Sequence, residues 1–214
     1  MKAQVLEILT KTRLVAIIRL DDLSQAVKLS KALLAGGVVA QEFTLSNPKA
    51  LEALSEAKAA LAEFSNGQAV IGLGSVRNVD EAHAAIKAGA QFVVTPITKL
   101  EVIEVCKNAS LPIMPGAFTP TEIAAAHDAG ADIVKVFPAR TLGAGYIKDV
   151  LAPMPYLKLM PTGGVDLENM ASFFKAGAVS VGVGGNLLDK KAIEAGDWDR
   201  VSNIARQYAE AARA

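Results

Sequence analysis

Lys135 interrupts an otherwise apolar segment, Ala131-Asp-Ile-Val-Lys-Val-Phe-Pro-Ala139. If the segment is a strand, Ile133, Lys135 and Phe137 share one face and Val134 and Val136 the other. With the valines against helices, the amine points into a protein interior, where lost hydration disfavours its charged form and lowers its pKa. A lysine that is partly neutral near pH 7 attacks ketones and forms a Schiff base; the plainer reading is a structural lysine held by an internal carboxylate. Glu42, in Ala40-Gln-Glu-Phe-Thr-Leu45, is a candidate partner, and Thr44, which shares its face, is a candidate substrate contact. An amine and a carboxyl group in one water-poor cavity supply an electron sink and a proton shuttle, unless Glu42 is only the counter-ion of Lys135 or Arg19. Arg19, in Ile17-Ile-Arg-Leu20, suits a substrate carboxylate, which guanidinium grips in two-pronged geometry. Its plainer reading is the same ion pair.

Strand-like segments must carry these groups, and eight of them occur: Leu14–Leu20, Val38–Leu45, Ala69–Val76, Phe92–Ile97, Leu111–Ala117, Ile133–Ala139, Lys158–Gly164 and Ala178–Gly185. Between them lie stretches of helical period such as Leu23–Ala35, Pro48–Phe64, Val79–Ala88, Thr121–Ala129 and Leu167–Ala176. Near-continuous apolar strands alternating with helices indicate a parallel sheet with right-handed crossovers. Eight such units with no strand left over predict an α/β protein, a closed (β/α)8 TIM barrel, in preference to an open doubly wound sheet. A helix over Gln4–Thr12 precedes the barrel and Trp198–Ala212 makes the last helix. No linker or change of composition divides the chain, so residues 1–214 read as one domain. Ala-Gly pairs at 35–36, 88–89, 129–130 and 176–177 are expected to end helices with a left-handed glycine. Asn47-Pro48, Asn78, Thr119-Pro120 and Asp166 mark helix starts.

In such a barrel, strand ends and the loops after them build the active site, and the loops after strands seven and eight bind phosphate. Those two strands end in Pro161-Thr-Gly-Gly164 and Gly182-Val-Gly-Gly-Asn186, whose glycines expose backbone N–H groups to an anion. Neither cluster has the spacing of a dinucleotide fingerprint or a P-loop. At the same face Gly72-Leu-Gly-Ser75, Thr95-Pro96 and Pro115-Gly116 make tight exits, and the hydroxyls of Ser75 and Thr95 either hold a small polar ligand or only shape turns. Lys158 opens its strand at the opposite end and reads as solvated.

The remaining composition is exclusionary. The chain has 214 residues, 51% of them apolar, enough for a full core. It carries 22 basic and 22 acidic side chains, which removes the usual electrostatic basis for binding nucleic acid or an anionic membrane. No apolar run approaches the ~18 residues of a membrane span, the amino terminus lacks a signal-peptide core, and one cysteine, Cys106, favours a reducing compartment. The expectation is a cytoplasmic protein. His83 and His127 lie in helical patterns without partners of zinc spacing, so no metal site is expected, and Cys106 reads as helix core.

Over essentially its whole length the chain resembles the 2-keto-3-deoxy-6-phosphogluconate (KDPG) aldolases, also active on 4-hydroxy-2-oxoglutarate, which are class I aldolases. The resemblance is carried by Val15-Ala-Ile-Ile-Arg19, Glu42-Phe-Thr-Leu45, Gly72-Leu-Gly-Ser-Val76, Thr95-Pro96, Pro115-Gly116, Val134-Lys-Val-Phe-Pro-Ala139, Pro161-Thr-Gly-Gly-Val165 and Val183-Gly-Gly-Asn186. It implies that Lys135 is the Schiff-base lysine and Glu42 the general acid/base. Thr162, Gly163 and Ser75 would contact the pyruvyl carboxylate, and Phe137 and Pro96 would wall the imine. Gly163, Gly164, Gly184 and Gly185 would form the phosphate pocket, with Asn186 standing where many members have serine. It also implies a keto-acid phosphate substrate, no cofactor and a homotrimer. One branch of the family has an arginine where this chain has Ser46; another lacks it and instead carries an arginine at the end of strand one, as Arg19 does here. An aldolase for the galactonate epimer, a phosphosugar isomerase or epimerase, and a silent phosphosugar-binding protein are the alternative functions.

Overall fold

The structure, a computed structural model, describes residues 2–214. Helix α1 (Lys2–Thr12) leads into strand β1 (Leu14–Ile18), followed by α2 (Ala26–Ala35), β2 (Ala40–Thr44), α3 (Ala50–Ala60), β3 (Val70–Gly74), α4 (Val79–Lys87) and β4 (Val93–Val94). Next come α5 (Leu100–Asn108), β5 (Ile113–Met114), β6 (Gly116–Ala117), α6 (Pro120–Asp128), β7 (Val134–Val136), α7 (Ala139–Leu151) and β8 (Leu159–Pro161). The chain finishes with α8 (Met170–Lys175), β9 (Val181–Val183), α9 (Lys190–Ala195) and α10 (Trp198–Arg213). Every strand pairing is parallel, in two curled sheets ordered β5-β4-β3-β2-β1-β9 and β6-β7-β8.

Nine short strands replace the eight expected runs because Pro115 splits the fifth. Proline has no N–H to give a ladder, yet its carbonyl accepts from Lys135 N–H at 2.9 Å, so the chain stays in register there. Across the other seam, Val179 N–H donates to Leu159 O at 3.0 Å, and Thr162 and Gly182 form a parallel bridge.

Alternation divides the buried side chains into two layers. Leu14, Ala16, Ile18, Phe43, Ile71, Leu73, Val134 and Val136 face the helices, whereas Val15, Ala40, Val70, Phe92, Val94, Met114, Ile133 and Met160 fill the concave side together with Val5 and Leu9 of α1. That helix therefore plugs the end where the strands begin, and the inner layer is dry below the level of Lys135. One turn of alternation higher, glycines take over. A Cβ at Gly72 would strike the Phe92 ring, at Gly74 the Glu42 carboxyl, at Gly116 the backbone of Thr95 and Pro96, and at Gly182 Thr162 and Ile17. Missing side chains make room there for polar ones.

Helix punctuation follows the expected chemistry with three corrections. Gly89, Gly130 and Gly177 take φ of +83°, +101° and +103° as left-handed terminators, but Gly36 is right-handed and Gly37 (φ +86°) does the turning. Gly36 is small for another reason, since a Cβ there would collide with Ala205 and the Ser202 carbonyl of α10. Asn78 and Thr119 cap α4 and α6, the latter in a full capping box with Glu122. Asn47 does not cap α3; its amide nitrogen instead donates to the carbonyls of Leu20 and Asp21 and braces the loop after β1. Nor is Asp166 a cap for α8, which begins after Asn169.

No helix among the described residues is long and apolar enough to cross a membrane. Lys158 is exposed, as its position suggested. Cys106 is buried in α5, its thiol pushed up to about 12 chiefly by burial and further by Asp132.

Candidate active site

Lys135 leaves the middle of β7 on the concave side, between Gly116 of β6 and Met160 of β8 in register. It is 5% exposed. Its ammonium nitrogen stands 4.8 Å from the centre of the Phe137 ring, and among the described residues no carboxylate comes within 4.0 Å of it. Burial pushes its pKa down; the charge of Glu42 opposes the shift and that of Arg19 adds to it. A cation–π contact is a weaker partner than a carboxylate, so no close partner cancels that downward push.

Glu42 projects from β2 against the Gly74 backbone and is 1% exposed. Its Oε2 is buried without a hydrogen-bond partner. Burial raises its pKa, with Lys135 and Arg19 pulling the other way. Two ionisable groups are thus displaced toward their neutral forms without being locked in a mutual ion pair. Groups displaced in this way are candidates for acid–base work.

A cavity of about 420 Å³ opens beside Lys135. Its wall includes Ile17, Arg19, Phe137, Arg140, Thr162, Gly163, Gly164, Val165, Gly184, Gly185 and Asn186. Nine residues singled out in the sequence therefore meet in one hollow, among them all four glycines of the two pairs. Gly163 and Gly164 have φ of +88° and +86°, so the loop turns back on itself and leaves its amides free. Among the described residues, the N–H groups of Gly163, Gly164, Gly185 and Asn186 donate to no protein acceptor. The Asn186 side chain ties the two loops together by donating to Val165 O at 3.1 Å. Unpaired amides turned into one concavity leave donors free for an anion.

Other residues fall elsewhere. Arg19 was expected within its strand; β1 ends at Ile18, and Arg19 stands exposed on the rim. Glu42, Thr44, Ser75, Thr95 and Pro96 are not on the cavity wall. The Thr44 hydroxyl lies 3.2 Å from the Ile18 carbonyl and 2.8 Å from Ser46 Oγ. Thr95 Oγ1 donates to Ile97 O and accepts from Gly116 N–H at 3.2 Å, so with Pro96 it clamps the backbone beside Lys135. Ser75 is half-buried with φ +60°, a left-handed conformation costing a non-glycine residue roughly 1–2 kcal/mol. Sequence reasoning missed Arg140; the available signal was a charge two residues beyond Pro138, in the first turn of the helix that follows the lysine strand.

A second hollow, of about 400 Å³, lies between the α2 start and α9–α10, but it mixes Asp21, Asp22 and Glu194 with Lys28 and Lys190 and holds none of these groups. Among the described residues no three His, Cys, Asp or Glu side chains cluster as metal ligands. His83 is exposed on α4, and His127 packs on Tyr156 at 5.0 Å between ring centres.

Known proteins resemble the chain over nearly its whole length. The family described as "Aldolase: KDPG and KHG aldolase" matches residues 5–204. A 2-dehydro-3-deoxy-phosphogluconate aldolase of Treponema pallidum is 33% identical over 204 residues, covering 95% of each chain. The KHG/KDPG aldolase of Escherichia coli K12 is 31% identical over 207 residues, covering 96% of this chain and 95% of that one. Among solved structures, a native KDPGal structure superposes with a TM-score of 0.85 at 29% identity over 94% of both chains. The Legionella pneumophila KDPG aldolase, with pyruvate captured as a covalent carbinolamine, gives 0.87 at 26% identity over 96% of this chain and 98% of that one. Fold and relatives together define a lyase, an aldolase of the Schiff-base class. The chain belongs to the KDPG and KHG aldolase family.

Proposed function

We propose that the protein cleaves 2-keto-3-deoxy-6-phosphogluconate reversibly to pyruvate and glyceraldehyde 3-phosphate, and 4-hydroxy-2-oxoglutarate to pyruvate and glyoxylate. The observation that carries this reading is a buried Lys135 amine, free of any ion pair, opening on a cavity rimmed by unpaired amides. The neutral amine adds to the C2 ketone, and loss of water leaves an iminium. Glu42, directly or through water, takes the C4 hydroxyl proton; the C3–C4 bond breaks, and its electron pair passes into the iminium as an enamine. Glyceraldehyde 3-phosphate departs. Protonation of the enamine at C3 and hydrolysis of the imine then release pyruvate and restore the amine. One carboxyl group can serve each proton step because the reaction needs base and acid in turn.

In this reading Arg19, Thr162 and Gly163 serve the carboxylate end and Phe137 walls the imine, whereas Ser75 and Pro96, to which the resemblance gave the same roles, stand behind the cavity wall. Thr95 braces the backbone beside Lys135 and Thr44 is held by the Ile18 carbonyl and Ser46, while Gly163, Gly164, Gly184, Gly185 and Asn186 receive the phosphate. The galactonate epimer is a second substrate reading, favoured by the likeness to a native KDPGal structure. The seam bonds support closure of the two sheets into a (β/α)8 barrel with α1 as its extra helix, and residues 1–214 as one domain. The family resemblance supports a homotrimer in the cytoplasm.

Incubation with pyruvate and borohydride tests the reading. A reduced pyruvyl adduct mapped to Lys135 by mass spectrometry is expected. Recovery of unmodified, fully active protein would overturn the imine and favour an isomerase.

A further inference from the structure

We infer that Arg140 is a specificity-determining residue, binding the distal anionic group of the substrate and selecting a phosphorylated 2-keto acid over its unphosphorylated counterpart. The inference rests on the aldolase reading and extends it to a residue outside the motifs that carry the family resemblance.

Two guanidinium groups, Arg19 and Arg140, reach the cavity beside the Lys135 amine. The whole chain balances 22 bases against 22 acids, so a hollow with two guanidinium groups and no carboxylate on its wall is a local arrangement. Neither arginine has a carboxylate within 4.0 Å or a side-chain hydrogen bond among the described residues. Their charge is left for a guest.

Position then separates the two arginines. Arg140 starts α7, where its N–H donates to Gly163 O at 2.8 Å and its Cβ lies so close to Gly164 that a methyl group there would collide with it. Its backbone is thus fixed against the glycine loop whose amides are unpaired. Around the ring the order is β7, β8, β9, β1. Arg140 leaves the β7 end of this arc, Arg19 the β1 end, and both glycine loops lie between. An anion held by the loops is therefore flanked by guanidinium on the β7 side. Guanidinium grips phosphate with two parallel N–H bonds, which an ammonium cannot do. A phosphomonoester brings about 1.5 to 2 negative charges, more than loop amides alone neutralise.

Arg140 is exposed, so water screens it, and the effect belongs near the low end for a charge-assisted bond, about tenfold in binding. The test compares wild type, Arg140→Gln and Arg140→Lys on whichever epimer of the phosphorylated keto acid the protein turns over, and on the unphosphorylated form. Expected for Arg140→Gln is a KM about tenfold higher for the phosphorylated substrate, with kcat within about twofold and a parallel rise in the inhibition constant of inorganic phosphate. The unphosphorylated substrate should keep its KM, and lysine should rescue only part of the loss. Equal losses on both substrates, or an unmoved phosphate inhibition constant, would overturn the role. If the unphosphorylated form reacts too slowly to measure, phosphate inhibition decides alone. Borohydride trapping of pyruvate, run on the same samples, keeps the two readings apart. An adduct on Lys135 with an unshifted substrate ratio refutes Arg140 only, whereas no adduct in wild type refutes the aldolase reading.

Discussion

Replacing Lys135 with methionine should separate function from stability, and the structure fixes both signs. Methionine keeps the length of the stem and presents a soft apolar end to Phe137 and Met160, but it cannot form an imine. Pyruvate release should fall at least ~10⁴-fold, the scale on which loss of a covalent nucleophile is felt. For stability two linkages matter. The folded-state pKa of Lys135 is depressed by burial, so the wild type carries a penalty for a buried ammonium that is full below that pKa and fades as pH rises toward 10.5. The variant lacks this penalty, and its advantage is therefore largest in acid. Glu42 has a raised pKa that Lys135 partly restrains. Removing the lysine raises it further, so the variant loses stability as pH climbs above 4.5 and Glu42 must ionise alone. Both effects point the same way. Each pKa unit by which burial depresses the amine is worth about 1.4 kcal/mol, which for this chain length corresponds to roughly 3–5 °C in Tm. The variant should gain Tm on that scale near pH 4.5 and lose most of it, or reverse, by pH 8. Lys135→Met/Glu42→Gln should keep the gain across the range. Scanning calorimetry at both pH values reads the difference directly; a variant less stable than wild type at pH 4.5, or one still making pyruvate, would refute the reasoning.

Other perturbations follow from the same geometry. Glu42→Gln removes the proton shuttle and should lower kcat about 10²–10⁴-fold while pyruvate remains trappable on Lys135; trapping and turnover lost together would instead indicate a collapsed site. It should also remove the penalty that grows in wild type as pH rises above 4.5, so urea midpoints of the two proteins should diverge in the variant's favour from pH 5 to 8. Gly74→Ala drives a methyl group into the Glu42 carboxyl and should destabilise by about 1–3 kcal/mol with a fall in kcat, checked by denaturation and steady-state assay. Ser75→Gly relieves the left-handed strain at φ +60° and should raise stability by up to ~1 kcal/mol. An accompanying rise in KM would place the hydroxyl on the substrate, and an unaffected KM would leave it to the turn.

Lys135 and the glycine pairs could be picked out without coordinates because strand chemistry is local. A charge amid Ile and Val is an anomaly in any parallel strand, and paired glycines after a strand announce a loop built from backbone. Alternation alone also divided Ile133, Lys135 and Phe137 from Val134 and Val136, the division the packing shows. Other features depended on neighbours distant in the chain. Pro115 splits a strand because the adjoining chain asks for an N–H it lacks, and Gly36 is small because α10, some 165 residues later, packs on it. Arg19 leaves the strand for the rim where β1 pairing stops. Arg140 gains meaning only when Gly163 and Gly164 fold against it. The hydroxyls of Thr44 and Thr95 are turned to backbone carbonyls that no local pattern names. Residue type and period thus determined which groups can react and which face they take, because both are properties of a few consecutive bonds. Which of those groups share a cavity, and which are absorbed by neighbouring backbone, was decided by packing between segments up to a chain length apart.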